Sequence, residues 1–311
     1  MLAVEERDAA SPAAGEVLVE VEAVGVNFID VYQRIGAYPI PTPFVNGNEA
    51  AGRVVGVGPD VPGLGVGDRV AWAMVPGSGA RFTVVPARRV VPVPDTVPLE
   101  VAAAVTLQGL TAQFLTTDTH AVTPGTVALV HAAAGGVGQL LVQMIRAKGG
   151  RVIATAGGPE KCAMVARLGV DDVIDYSAVD DLAAEVRGRT GGRGVDVAYD
   201  GVGRATFDAS LDSLRPRGLL VLFGAASGPV PPFEIQRLNW GGSLFLTRPS
   251  LIHHIEDRVE LDARAADVFD QVAAGTLHIE VGGRYTFAEA AAAYRALESR
   301  QTHGKLLLTP S

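Results

Sequence analysis

Residues 126–150 read TVALVHAAAGGVGQLLVQMIRAKGG. An apolar run meets a turn built from Ala133, Gly135, Gly136 and Gly138, and a second apolar pattern of different period follows. Val127–His131 is expected to be a buried strand. Val137, Leu140, Leu141, Met144 and Ile145 recur at helical spacing and predict a helix with one buried face. A turn almost free of side chains between two such elements is the opening of a βαβ unit. Its spacing is that of G-x-G-x-x-G, with Ala133 in the first position, then Gly135 and Gly138. Gly135 lets the backbone approach a pyrophosphate, and Gly138 lets helix and strand pack closely. The N–H groups that open the helix then face the anion. A glycine triplet alone is weak evidence, but this one has the strand before it and the helix after it that a dinucleotide site requires.

The rest of the chain repeats that alternation. VALVHA, RVIATA, DDVIDY, GVDVAYD, LLVLFG and SLFLTR read as strands, mostly separated by helix-like segments such as PEKCAMVARLG and DLAAEVRGRTG. Pro159 falls at a first helical position, and Gly149 and Gly169 fall just past helix ends. Apolar strands alternating with helices predict an α/β fold, a doubly wound parallel sheet covered on both faces. The link from LLVLFG to SLFLTR is less regular, containing GPVPPFE and a short helix at most. Residues 15–100 differ in texture. Short Val-rich runs between clusters such as GPDVPGLGVGD predict a separate, small all-β unit, and residues 252–311 add two helices and a closing strand, GKLLLTP. At 311 residues, with 48% hydrophobic residues and a mean hydropathy of +0.25, the chain has ample material for two cores.

Composition excludes several functions. The net charge is −8 and no basic run occurs, so no nucleic-acid partner is expected. A single cysteine, Cys162, rules out a disulfide framework and a thiolate-rich metal site, and is expected to be a small buried filler. None of the six histidines has metal-ligand spacing, so no metal is expected. Neither a signal peptide nor an apolar run of about twenty residues is present, which predicts a cytoplasmic protein with no membrane contact.

The second strand decides which dinucleotide. It continues as RVIATAGGPEK, and Ala154 through Pro159 include no acid to accept from a ribose 2′-hydroxyl. A carboxylate there would repel a 2′-phosphate, whereas Lys161 can pair with one, so NADPH is the better fit. An ordinary solvated lysine in a helix's first turn is the alternative.

At this point the chain resembles the zinc-free quinone oxidoreductases (zeta-crystallin type) of the medium-chain dehydrogenase/reductase superfamily. The stretches that carry the resemblance are VEAVGVNFIDVYQRIGAYP, GNEAAGRVVGVG, QGLTAQ, HAAAGGVGQL, ATAGGPEK, VIDYS, YDGVG, FGAASG, LTRPSL and HGKLLL, in order along the chain. The resemblance implies a GroES-like catalytic domain from residues 1–112 and 252–311. It also implies an inserted Rossmann domain, residues 113–251, with NADPH in the cleft. Asn27, Tyr32 and Tyr38 are implied to lie at the nicotinamide and substrate. Gly135, Gly136 and Val137 are implied to cradle the pyrophosphate, and Gly157, Lys161 and Tyr176 the 2′-phosphate. Thr111, Gly201, Phe223, Gly224, Ser227 and Lys305 complete the implied cofactor contacts. For Tyr32 and Tyr38, aromatic core packing is the alternative. Family members are usually homodimers, here through the edge strand near Ser243–Arg248.

Two departures matter. Zinc-dependent members carry Cys or His where this chain has Asn27, Asn48 and Leu107, so no Lewis acid is expected. Met1 also falls inside the family's usual start, and the first strand of the β unit is expected to be missing. A metal-free hydride donor suits a quinone or similar conjugated carbonyl, because the arriving charge delocalises onto oxygen and positioning does most of the work. Asn27 is expected to hydrogen-bond the nicotinamide ribose or the acceptor oxygen. The alternatives are an NADPH-dependent 2-alkenal or enoyl reductase and a non-catalytic NADPH-binding protein.

Overall fold

The computed structural model describes residues 2–170 and 172–310. Met1, on which the expectation of a missing first strand rests, lies outside the described residues. The chain divides into two compact units, one running to Leu110 and resuming at His254, the other Thr111–His253.

In chain order the first unit begins with β1 (Glu16–Val26), α1 (Phe28–Arg34), β2 (Glu49–Val57), β3 (Arg69–Ala73), β4 (Phe82–Pro86) and β5 (Val90–Pro92). Helix α2 (Leu99–Phe114) leads into the second unit. That unit holds β6 (Val127–Val130), α3 (Gly136–Ala147), β7 (Arg151–Ala156), α4 (Pro159–Arg167), β8 (Asp172–Asp175) and α5 (Leu182–Arg189). It continues through β9 (Val195–Asp200), α6 (Phe207–Asp212), β10 (Leu214–Leu222), α7 (Gln236–Trp240) and β11 (Phe245–Thr247). The chain then returns to the first unit with α8 (Arg258–Ala273), β12 (Val281–Thr286), α9 (Ala290–Glu298) and β13 (Lys305–Thr309).

The first unit is built on a seven-stranded sheet of order β12-β13-β1-β2-β3-β5, with β4 paired to β1. Alternation at the start of β1 buries Val17, Val19 and Val21 on one face, as a half-solvated antiparallel strand requires, and beyond a register shift between Val21 and Ala23 the core positions pass to Val24 and Val26. Those side chains join Val54, Val70, Trp72, Val85 and Tyr294 in one core. Trp72 is fully buried and donates its indole N–H to Ser78 Oγ at 2.8 Å, which removes the penalty for a lone buried donor.

The second unit is a parallel six-stranded sheet of order β11-β10-β9-β6-β7-β8. Strands β6 and β9 are neighbours, so the winding reverses between them. Ligands of doubly wound sheets bind outside the strand ends at such a reversal. Two local departures from the sequence pattern occur. Strand β10 starts at Leu214, earlier than its apolar run, and its register slips between Leu214 and Leu219, where Arg217 adopts φ 61°. Val137 is half-buried, whereas Gly138 through Val142 are buried throughout, so α3 is covered on more than one stripe. Strand β11 is a sheet edge that leaves Phe245 exposed, beside the exposed Trp240 of α7. Among the described residues, no helix is long and apolar enough to cross a membrane.

Candidate functional site

In the second unit the site is the turn after β6. Ala133 N–H donates to Thr155 O at 2.9 Å and Gly135 N–H to Ala132 O at 2.8 Å, folding the backbone back before α3 begins at Gly136. The two glycines do different things. A Cβ at Gly138 would lie 2.3 Å from Ala132 O and 2.8 Å from Ala133 Cα, so helix and strand touch there through backbone alone. At Gly135 an added Cβ meets only Ala132 O, at 3.1 Å. Gly135 is the N-cap of α3 and no side chain caps the helix, which leaves its opening N–H groups for an anion.

A buried polar chain holds this turn from below. Ser210 Oγ donates to Asp200 Oδ2 at 2.7 Å, which uses its single proton. The 3.0 Å contact between Ser210 Oγ and His131 Nε2 therefore carries the histidine's proton. His131 Nδ1 lies 3.0 Å from Thr155 Oγ1, from which it accepts when the ring is neutral. Burial lowers the His131 pKa and so favours that neutral imidazole. Asp200 also accepts from the backbone N–H groups of Val202 and Gly203 and from Thr206 Oγ1. Sequence reasoning missed His131, Asp200 and Ser210. The only signal was a histidine just after one apolar strand and an aspartate at the end of another strand.

At the end of β7, the Tyr176 hydroxyl lies where a Gly157 side chain would sit, 2.4 Å from the ideal Cβ. Lys161 stands in the first turn of α4, and burial lowers its pKa. Cys162 is half-buried, its Sγ 3.9 Å from Ala156 O, and desolvation raises its thiol pKa, which makes it a poor nucleophile. Gly201, Phe223 and Gly224 meet at the ends of β9 and β10. The Phe223 ring is 2.9 Å from an ideal Cβ on Gly201, and a Cβ on Gly224 would be 2.4 Å from Gly201 O. Ser227 Oγ donates to Val202 O at 2.8 Å and accepts from Ala205 N–H at 3.0 Å, so it shapes this loop. Thr111 is buried in α2.

In the first unit the candidate residues form a buried polar cluster. Asn27 follows β1 and is the N-cap of α1, its backbone N–H held by Asp30 Oδ2 at 2.9 Å. Its side-chain amide donates to Gly25 O at 3.0 Å and to Glu49 Oε2 at 2.9 Å, and its carbonyl accepts from Lys305 Nζ at 2.9 Å. Lysine can only donate and carboxylate only accept, so this amide has one orientation. Both its protons are engaged inside the protein. Lys305, 1% exposed, also reaches Glu49 Oε2 at 2.6 Å, so its ammonium points inward. Asp30 accepts from Asn48 Nδ2 at 2.7 Å and from the Tyr294 hydroxyl at 3.1 Å. Burial pushes the Asp30 pKa up to about 6 despite these donors.

The cluster does not suit zinc. Asn27 and Asn48 offer weak amide donors already engaged in hydrogen bonds, and the Lys305 ammonium would repel a dication. Leu107 has no metal-binding atom in its side chain and gives its backbone N–H to Glu49 Oε1 at 2.5 Å, while the neighbouring Gln108 Nε2 faces Asn27 Oδ1 at 3.5 Å. Among the described residues, no three His, Cys, Asp or Glu are grouped to hold a metal. Beside the cluster, Phe28, Tyr32 and Tyr38 form an aromatic ladder with centroid separations of 6.1 and 5.2 Å. Phe28 was absent from the residues expected at the site.

Comparison with known proteins agrees with the two-unit fold. Residues 13–95 match the alcohol dehydrogenase GroES-like domain and residues 136–256 the zinc-binding dehydrogenase model. A quinone oxidoreductase of Pseudomonas aeruginosa is 42% identical over 97% of this chain and 93% of its own length. A 2-haloacrylate reductase of Burkholderia is 42% identical over 98% of this chain and 94% of its own. The crystal structure of Escherichia coli quinone oxidoreductase complexed with NADPH is 40% identical, with a TM-score of 0.96 over 98% of this chain and 95% of that one. With two matching domains and likeness along nearly the whole chain, the protein belongs to the quinone oxidoreductase family of medium-chain dehydrogenases/reductases.

Proposed function

We propose that the protein is an NADPH-dependent, metal-free reductase of quinones. The uncapped start of α3 at Gly135, Gly136 and Val137 would hold the pyrophosphate, and Gly157, Lys161 and Tyr176 the 2′-phosphate. NADPH, when bound, supplies a hydride from nicotinamide C4. Hydride and one proton from solvent convert a quinone to its hydroquinone, leaving NADP+. Asn27 acts here as a fixed amide that sets its surroundings, because Lys305 and Glu49 engage its carbonyl and its protons. The observation that carries the choice of quinone is the ladder Phe28–Tyr32–Tyr38. Tyr38 is 43% exposed, so its ring offers a flat apolar face to a flat acceptor.

The 2-haloacrylate reductase among the relatives favours a second reading, reduction of an activated C=C bond. NADPH oxidation measured with naphthoquinones, 2-chloroacrylate and crotonyl thioesters separates the two. Turnover highest on quinones is the expected result. Turnover on the acrylate alone transfers the assignment to the second reading, and coenzyme binding with no turnover on any acceptor leaves only a binding protein. We also propose a homodimer formed through the β11 edge, where Phe245 and Trp240 are exposed.

A further inference from the structure

Sequence reading finds no acid at the end of β7, the strand beside which the adenosine ribose of a dinucleotide lies. The fold supplies one from the next strand. β8 pairs with β7 in parallel register, with Asp175 opposite Ala156, the last residue of β7. Asp175 Oδ1 accepts from Gly158 N–H at 2.9 Å, Ser177 N–H at 2.9 Å and Ser177 Oγ at 2.6 Å. Among the described residues, no donor lies within hydrogen-bond reach of Oδ2. The carboxylate is therefore fixed by one oxygen, with the other left to accept.

We infer that Asp175 sets how strongly the protein distinguishes NADPH from NADH. This rests on the reading above that the 2′-phosphate binds at the end of β7. Two carboxylates, Asp175 and the Glu160 of the first turn of α4, stand there against the ammonium of Lys161. A 2′-phosphate dianion meets attraction from one side and repulsion from the other. A 2′-hydroxyl can instead donate to Asp175 Oδ2, as it does to the acid of an NAD site. Hydrogen bonds from Ser177 and Gly158 lower the Asp175 pKa, so the repelling charge is present at neutral pH. Its field reaches the first turn of α4, where it helps raise the pKa of the Cys162 thiol. The site thus keeps affinity for both coenzymes, and its selectivity is lower than Lys161 alone would give.

The test uses Asp175→Asn, which keeps an oxygen for Gly158 and Ser177 while removing the charge. NADPH and NADH dissociation constants are measured by fluorescence titration of the full chain, wild type and variant. The NADPH-over-NADH preference is expected to rise roughly three- to tenfold, the scale of one charge at a solvent-screened site. The rise should shrink in high salt. Asp175→Ser, shorter and neutral, should move the ratio the same way, and Lys161→Ala the opposite way. Equal changes in both affinities, or an unchanged ratio in both Asp175 variants, overturns the role of Asp175 while the coenzyme site stands. Wild-type protein that binds neither coenzyme overturns the site and the role together.

Discussion

The glycine turn of the second unit and the polar cluster of the first are opposite ways to build a candidate site in a fold. The turn is made of backbone: glycines, N–H groups and one short loop between β6 and α3. The cluster is made of side chains from the start of α1, from β2 and the residue before it, and from α2, α9 and β13, and its Lys305–Asn27 contact joins residues 278 positions apart. A backbone site is tuned by what is absent from each position. A side-chain site is tuned by which donor faces which acceptor. Substitutions should therefore damage the two in different ways.

The largest effect belongs to the cluster. Lys305→Met leaves the Glu49 carboxylate buried without its counter-ion, since both side chains are 0% exposed. That should destabilise the protein by about 3–5 kcal/mol. Changing both partners, Lys305→Met with Glu49→Leu, should lose less than the lysine change alone. Urea denaturation of the two variants checks this, and a double variant no better than the single one would show that Glu49 is not the group left stranded.

The turn should respond by a smaller amount, and its two glycines should respond differently. Alanine at 138 places a Cβ against the backbone of Ala132 and Ala133, which cannot give way as a side chain can. A loss of about 1–3 kcal/mol is expected, read as a fall in Tm. Alanine at 135 meets only Ala132 O, at 3.1 Å, a tight contact that a shift of a few tenths of an ångström relieves, and should cost less stability than alanine at 138. It should nonetheless weaken NADPH about tenfold, because its Cβ occupies the approach of the pyrophosphate. If Gly135→Ala lowers Tm and leaves NADPH affinity intact, that glycine serves packing alone.

The same contrast explains what the sequence showed. Gly135, Gly138 and the helical spacing of Leu140, Leu141, Met144 and Ile145 are local signals, and local signals survive in a linear string. The Val-rich run that holds Val17, Val19 and Val21 marked the all-β unit equally well. The pairing of Asp175 with the end of β7 depends on strand register, and the Lys305–Asn27–Glu49 contacts depend on three separated elements meeting. Neither follows from spacing. The resemblance placed Asn27 and Lys305 at the site, but only the donors and acceptors around them show that they face each other. Gln108, beside Leu107, was missed because one residue along α2 changes which side chain turns toward Asn27.

The two units should also differ in how pH acts on them. In the first unit Asp30 has a pKa of about 6 against an ordinary 3.8, so the folded protein binds this proton more tightly than the unfolded chain. Stability from Asp30 is then fully present below about pH 4 and falls as pH rises toward 6, by up to about 3 kcal/mol. In the second unit Asp196, held by Arg193, Arg215 and the Val127 N–H, has its pKa lowered to about 2. Its contribution runs the other way, present above about pH 4 and lost as pH falls toward 2. The two windows barely overlap. Urea titrations at pH 4.5, 5.5 and 7 should show stability declining upward through the Asp30 window. A decline missing from wild type would mean that Asp30 stays ionised in its cluster, with Asn48, Tyr294 and Lys305 outweighing its burial.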